Sequence, residues 1–264
     1  MITYVLSLRE TQQRQRKCTA SSVGRAPDPD ADSTVQFILE MEKAGADLIE
    51  IGIPFSDPTA EGVVIQEANI RSLSNGMTTD GVFEIVKRVR EQSEIPLAFM
   101  TYVNPVFHYG YEKFFTKCEE LGISAIIIPD VPYEEKAEVE APAQTHGVKV
   151  ISMIAPTSES RIRQIASEAE GFIYVVSSMG VTGVRSEIKT DLPAIVESIR
   201  TVTDVPCAIG FGISTPEQAK AMASISDGAI VGSAIVKIIA KYGKDAAPYI
   251  GEYVKSMKEA VAEA

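Results

Sequence analysis

Asp47-Leu48-Ile49-Glu50-Ile51-Gly52-Ile53-Pro54-Phe55-Ser56-Asp57-Pro58 is the stretch on which the fold turns. Between Gly45 and Pro54 it forms a short, nearly continuous apolar run, the mark of a strand covered on both faces. Such a strand has no ordinary place for a charge, yet Glu50 sits in its middle. A buried, isolated carboxylate is costly unless it is paired or its pKa rises. Two readings follow: an ion-paired or solvated barrel-interior residue, or an acid–base group. Directly after the run, Pro54 to Gly62 form a turn-rich stretch carrying two more acids, Asp57 and Glu61. That stretch leaves the strand at its carboxyl end, where barrel enzymes keep their sites.

Outward from this strand the chain alternates short apolar segments with helical periodicity. Strands are expected at 48–53, 97–102, 125–129, 148–153, 172–177, 207–211 and 228–231. Helices are expected at 34–43, 81–91, 111–121, 134–146, 159–168, 192–202, 216–224, 234–241 and 248–261. Strands alternating with helices of about ten residues mean βαβ units and a parallel sheet. The fold class is therefore α/β, a (βα)8 TIM barrel whose first strand is atypical or defective. Where that strand belongs, residues 17–27 offer only scattered apolar side chains. Arg9, Arg14, Arg16, Lys17 and Arg25 face the single acid Glu10 there, whereas the whole chain carries a formal charge of −11. Residues 1–27 thus read as a separate N-terminal segment: a basic leader of transit-peptide type, a disordered stretch or a misread one. Residues 28–264 read as one barrel domain, a length such barrels reach undivided.

The acidic balance argues against nucleic acid and anionic membrane as partners, since both require a positive face. An anionic metabolite stays open, because helix N-termini and glycine turns bind phosphate through backbone N–H groups. Cys18, Cys118 and Cys207 stand far apart in no metal-like spacing, and the only histidines, His108 and His146, form no ligand or triad pattern. No metal is expected, and a reducing, cytoplasmic compartment is. No apolar stretch reaches the roughly 18 residues a membrane span needs.

Gly210-Phe211-Gly212-Ile213-Ser214-Thr215-Pro216 places glycines at a strand end, with capping residues and a proline at the next helix start. Val231-Gly232-Ser233-Ala234 repeats the arrangement one βα unit later. Together they resemble the phosphate grip that many barrels build after their last two strands. Gly180-Val181-Thr182-Gly183 adds a third glycine turn, with the composition of a lid. Any one of these turns, taken singly, is equally an ordinary turn.

Residues 47–66, 180–183, 210–215 and 231–235 together resemble the α subunit of tryptophan synthase, with Gly52-Ile53-Pro54-Phe55-Ser56-Asp57-Pro58 the most specific segment. The likeness runs from about Ala26 to the C-terminus. It implies a lyase of tryptophan biosynthesis that cleaves indole-3-glycerol phosphate to indole and glyceraldehyde 3-phosphate. It also implies no cofactor on this chain and transfer of indole to a β subunit that carries pyridoxal phosphate. By match to the family, Glu50 is the proton shuttle and Glu61 the second catalytic carboxylate. Tyr174, Phe211, Met100, Ile127, Met153 and Thr182 match substrate-binding positions, although the apolar ones equally suit an ordinary core. Gly183, Gly212, Gly232 and Ser233 match the phosphate-binding positions. Asp57, Pro58, Asn104 and Asp130, with Tyr102, match loops that face the β subunit; otherwise Asn104-Pro105 and Asp130-Val131-Pro132 are simply turns.

The chain departs from the family at two places. The family motif reads Pro-Leu-Ala-Asp-Gly-Pro where this chain has Pro58-Thr59-Ala60-Glu61-Gly62-Val63. The extra methylene adds on the order of 1 Å of reach, and misplacement of that size can cost about 100-fold in rate. Glu61 is then either catalytic or the tip of a mobile loop pointing into solvent. The second departure is the N-terminus, where the family's apolar strand ending in Gly-Asp-Pro is absent and the likeness recovers at Asp28-Pro29-Asp30. An abrupt loss of likeness with length preserved suggests a shifted reading frame, which translation in the other two frames tests. Alternatives to the paired lyase are a weakly active or inactive barrel that activates a β subunit, a stand-alone lyase, and a sugar-phosphate isomerase.

Overall fold

Eight parallel strands close on themselves in the computed structural model, which describes residues 18–177, 191–210 and 212–264, with side chains from residue 26 onward. They are β1 (Cys18–Arg25), β2 (Leu48–Gly52), β3 (Leu97–Met100), β4 (Ala125–Ile127), β5 (Lys149–Val150 and Ser152–Ile154), β6 (Ile173–Val176), β7 (Cys207–Gly210) and β8 (Gly228–Val231). β1 pairs with β2 on one side and β8 on the other, and each later strand pairs in parallel with the next. Closure passes through a break in β5. Its first half pairs with β4 and its second half with β6, and Ile151 between them still donates its N–H to the Ile126 carbonyl at 2.9 Å.

Side-chain alternation sorts the strands into two apolar layers. Ile49 and Ile51 of β2, Phe99 of β3 and Ile126 of β4 pack outward against helix residues such as Phe37, Ile38 and Val86. Leu48, Ala98, Ala125, Ile127, Tyr174 and Ile230 belong to a separate inner cluster that fills the barrel. This is the period-two pattern of a strand buried on both faces.

The first strand, obscure in sequence, runs through Cys18–Arg25 with Ser22 in register with Glu50. Backbone pairing on both edges holds it in place. Ala26 N–H then donates to the Gly52 carbonyl at 3.0 Å, and the loop beyond is fastened by a helix, Val63–Ser74. Arg71 grips the buried Asp28 carboxylate with two bonds of 3.0 and 2.6 Å, Ser72 Oγ donates to the Ala26 carbonyl, and Asn75 Nδ2 to that of Pro29.

Two helices go beyond the sequence reading: one over 63–74, where no element was expected, and one over 103–109, where Asn104-Pro105 suggested a turn. Val63–Ser74 has apolar residues on both sides: Ile65 and Ala68 inward, Val63 and Ile70 outward, which blurs its stripe. Val103–Tyr109 carries Pro105 in its first turn, where the missing N–H has no intrahelical partner to lose. No helix among the described residues is long and apolar enough to cross a membrane.

Candidate active site

Strand alternation decides where Glu50 points. Its outward neighbours Ile49 and Ile51 join the helix-facing layer, so Glu50 shares the inner face with Leu48. It is 1% exposed, and its Oε1 has no hydrogen-bond partner among the described residues. Burial pushes its carboxyl up to about 8. Among the described residues nothing pairs with its Oε1, and that favours the acid–base reading of Glu50 over the ion-paired one.

Met100, Ile127, Met153 and Tyr174 lie in or against the same inner cluster. Register places Met100 beside Gly52 and Ile127 on adjoining strands, and Tyr174 beside Met153. Tyr174 is buried, and its hydroxyl is held well above the ordinary tyrosine value by burial first, then by the charges of Glu50 and Glu61. One phenol therefore senses both acids. Its ring needs Gly210: a Cβ there would fall 2.5 Å from the Tyr174 hydroxyl oxygen and 2.6 Å from Cε1. The sequence, which places Gly210 at a strand end, carries no sign of this need, because the demand comes from a side chain one strand away.

Glu61 does not point into solvent. It is 5% exposed, and the Tyr102 hydroxyl donates to its Oε1 at 3.2 Å. The same hydroxyl accepts the Ala60 N–H at 3.0 Å, while Gln66 Nε2 donates to the Glu61 carbonyl at 2.7 Å. Upstream, Phe55 packs its ring 5.6 Å from that of Tyr102 and donates its N–H to Asn69 Oδ1 at 3.2 Å. Tyr102, placed by sequence among partner-facing residues, is 1% exposed and belongs to the interior. Its polar tip serves the loop that carries the second acid.

The glycine turns differ in construction. Gly212 adopts φ +82°, a left-handed conformation that favours glycine. After it, Thr215 caps the helix Pro216–Ile225 in a reciprocal box with Gln218, and Tyr253 donates to the Ser214 carbonyl at 3.0 Å from behind. Gly232 instead caps Ser233–Tyr242 with no side-chain bond, so the leading N–H groups of that helix are presented without a capping side chain. Thr182, Gly183 and Phe211 lie outside the described residues.

On the segments that follow β2, β3 and β4, Asp57, Asn104 and Asp130 are exposed and Pro58 half-buried, Asn104 within the helix Val103–Tyr109. Asp130 Oδ1 accepts the Val103 N–H at 3.0 Å, tying the β4 loop to the helix Val103–Tyr109. Beside it lies a cavity of about 210 Å³ lined by Asn104, Phe107, Tyr111, Asp130 and Val131 among others, with Phe107 63% exposed. No motif had singled out Phe107.

Residues 10–262 match the family model described as tryptophan synthase alpha chain. The chain belongs to that family. The tryptophan synthase alpha chain of Lacticaseibacillus casei is 48% identical over 236 residues, 89% of each chain. Among solved structures, the tryptophan synthase alpha subunit of Legionella pneumophila superposes with a TM-score of 0.88 at 32% identity, covering 99% of both chains. A chain of the tryptophan synthase α2β2 complex of Pyrococcus furiosus gives 0.81 at 32% identity, covering 91% of this chain and 97% of that one. Membership carries the alpha-subunit role in tryptophan biosynthesis and a lyase chemistry, and the barrel agrees with these neighbours.

Proposed function

We propose that this alpha chain cleaves indole-3-glycerol phosphate to indole and glyceraldehyde 3-phosphate, with Glu50 and Glu61 as its catalytic carboxylates. The observation that carries the reading is the pairing of a buried, protonatable Glu50 with a second buried acid around one tyrosine. At neutral pH a carboxyl with a pKa of about 8 holds its proton and can deliver it to indole C3. As C3 becomes tetrahedral the ring nitrogen gains positive charge, and the Glu61 carboxylate accepts its N–H. The Glu50 carboxylate then takes the proton of the side-chain hydroxyl. The C–C bond breaks as the carbonyl forms, its electrons restore the indole ring, and Glu50 regains its proton.

Met100, Ile127, Met153 and Tyr174 supply apolar walls for the indole, with Phe211 and Thr182 completing that set. The phosphate suits the uncapped N–H groups after Gly232 and Ser233 and the left-handed turn at Gly212, with Gly183 as a further donor. A β subunit is the partner, docking on Asp57, Pro58, Asn104 and Asp130 around the exposed Phe107. The named α2β2 assembly of the Pyrococcus relative supports this pairing.

Indole release from indole-3-glycerol phosphate by the purified chain, with and without a β subunit, tests the proposal. Release that a β subunit stimulates is the expected result. No indole under either condition, with the β reaction still stimulated, leaves only an activating barrel; full rate alone makes the chain self-sufficient. Glu50→Gln should abolish turnover while phosphate-ligand binding persists, and undiminished turnover would remove Glu50 from the chemistry.

A further inference from the structure

We infer that Tyr102 is a positioning residue that fixes the reach of the Glu61 carboxylate; this rests on the retro-aldol reading of Glu61 given above. A phenol has one proton and can both accept and donate. At Tyr102 the oxygen accepts the Ala60 N–H at 3.0 Å, and the O–H donates to Glu61 Oε1 at 3.2 Å. The hydroxyl is thus locked to the backbone on one side and to the acid on the other. Gln66 Nε2, at 2.7 Å from the Glu61 carbonyl, holds the far end of the same residue. With the Ala60 N–H and the Glu61 carbonyl both held, the backbone around Glu61 is restrained on either side, and the hydroxyl restrains the tip of its side chain.

Tyr102 itself has nowhere to retreat. It is 1% exposed, packed against Phe55, and Phe55 is anchored through its N–H to Asn69. The device matters because this chain carries glutamate where the family motif has aspartate. The extra methylene adds a rotatable bond and on the order of 1 Å of reach, both of which scatter a catalytic carboxylate. A stop fastened to the N–H of the preceding residue, Ala60, limits that scatter. If Tyr102 served only as core filler, phenylalanine would do the same work.

The test compares Tyr102→Phe, Glu61→Asp, the double variant and Glu61→Gln in the complex with a β subunit, reading kcat and KM separately. Tyr102→Phe should lower kcat by about tenfold or more, as expected for losing a hydrogen bond to a charged group. KM and the affinity for glycerol 3-phosphate should stay within about threefold, since neither depends on the clamp. In the Glu61→Asp background the carboxylate stands one methylene further from the hydroxyl, so the same change should cost less than about threefold in kcat. Equal losses in both backgrounds would show that the tyrosine acts through packing and overturn the inference. An unchanged kcat in Tyr102→Phe, with Glu61→Gln inactive, overturns the clamp and leaves the lyase reading intact. Turnover persisting in Glu61→Gln overturns both. Should Tyr102→Phe not fold, the exposed-site variant Gln66→Met reports instead: kcat should fall by about threefold or more at constant KM, and an unchanged kcat overturns the clamp.

Discussion

Replacing Glu50 with glutamine should change how the stability of this protein depends on pH, by an amount set by the burial of that one carboxyl. The group rises from 4.5 to about 8 on folding. Between those values the folded chain keeps a proton that the unfolded chain has lost, so stability falls as pH rises. The stabilisation is whole below pH 4.5, declines through the neutral range and is gone just above pH 8. At about 1.4 kcal/mol per pH unit the full span is about 5 kcal/mol, of which about 4 kcal/mol falls between pH 5 and 9. Glutamine has nearly the same shape and does not titrate. The difference in unfolding free energy, Glu50→Gln minus wild type, should therefore climb by about 4 kcal/mol from pH 5 to 9. Urea titrations followed by circular dichroism at each pH measure it, and a constant m-value secures the comparison. The acid also has to be protonated to deliver its proton, so kcat should drop on the alkaline side near pH 8. Parallel stability curves for the two proteins would refute the reasoning, because the linked proton would then belong elsewhere.

Gly210→Ala should push the Tyr174 ring, costing about 1–3 kcal/mol by thermal or chemical melts and lowering kcat; an unperturbed variant would mean the ring lies elsewhere. Gly212→Ala should cost about 1–2 kcal/mol for its left-handed backbone and raise the KM of the phosphate substrate more than it lowers kcat. Steady-state kinetics and melts of one preparation separate the two effects, and an unchanged KM would detach this turn from the phosphate. Arg71→Met should destabilise by about 2–4 kcal/mol by leaving the buried Asp28 carboxylate unpaired. Denaturant midpoints check it, and a loss below about 0.5 kcal/mol would show that the 26–29 loop is held by other means.

Most of the barrel was readable because its strands from residue 48 onward are short apolar runs closed by Gly or Pro, a pattern set locally. β1 was not, since a strand rich in Ser, Thr and Gly is held by pairing on both edges, and pairing leaves no local mark. The helix Val63–Ser74 escaped for the opposite reason: Val63 and Ile70 face outward and mask the inward Ile65 and Ala68. At the site, Glu50 announced itself by a charge in the wrong place. The burial of Glu61 depends on a tyrosine 41 positions away in sequence, and the need for glycine at 210 on a ring from the neighbouring strand. Such requirements exist only once the chain has closed.

The helix Val63–Ser74 touches two loops at once. Its later turns fasten the segment after β1 through Arg71, Ser72 and Asn75, and its earlier ones hold Phe55 through Asn69 and Glu61 through Gln66. Tilting or lengthening it would displace the acid and the first βα connection in concert. Mutational drift at the outward Val63 and Ile70 is thus nearly unconstrained, while the row formed by Gln66, Asn69, Arg71 and Ser72 behaves as a single tuning element. Anyone retuning the second carboxylate's geometry by directed evolution should expect useful changes to cluster along that row.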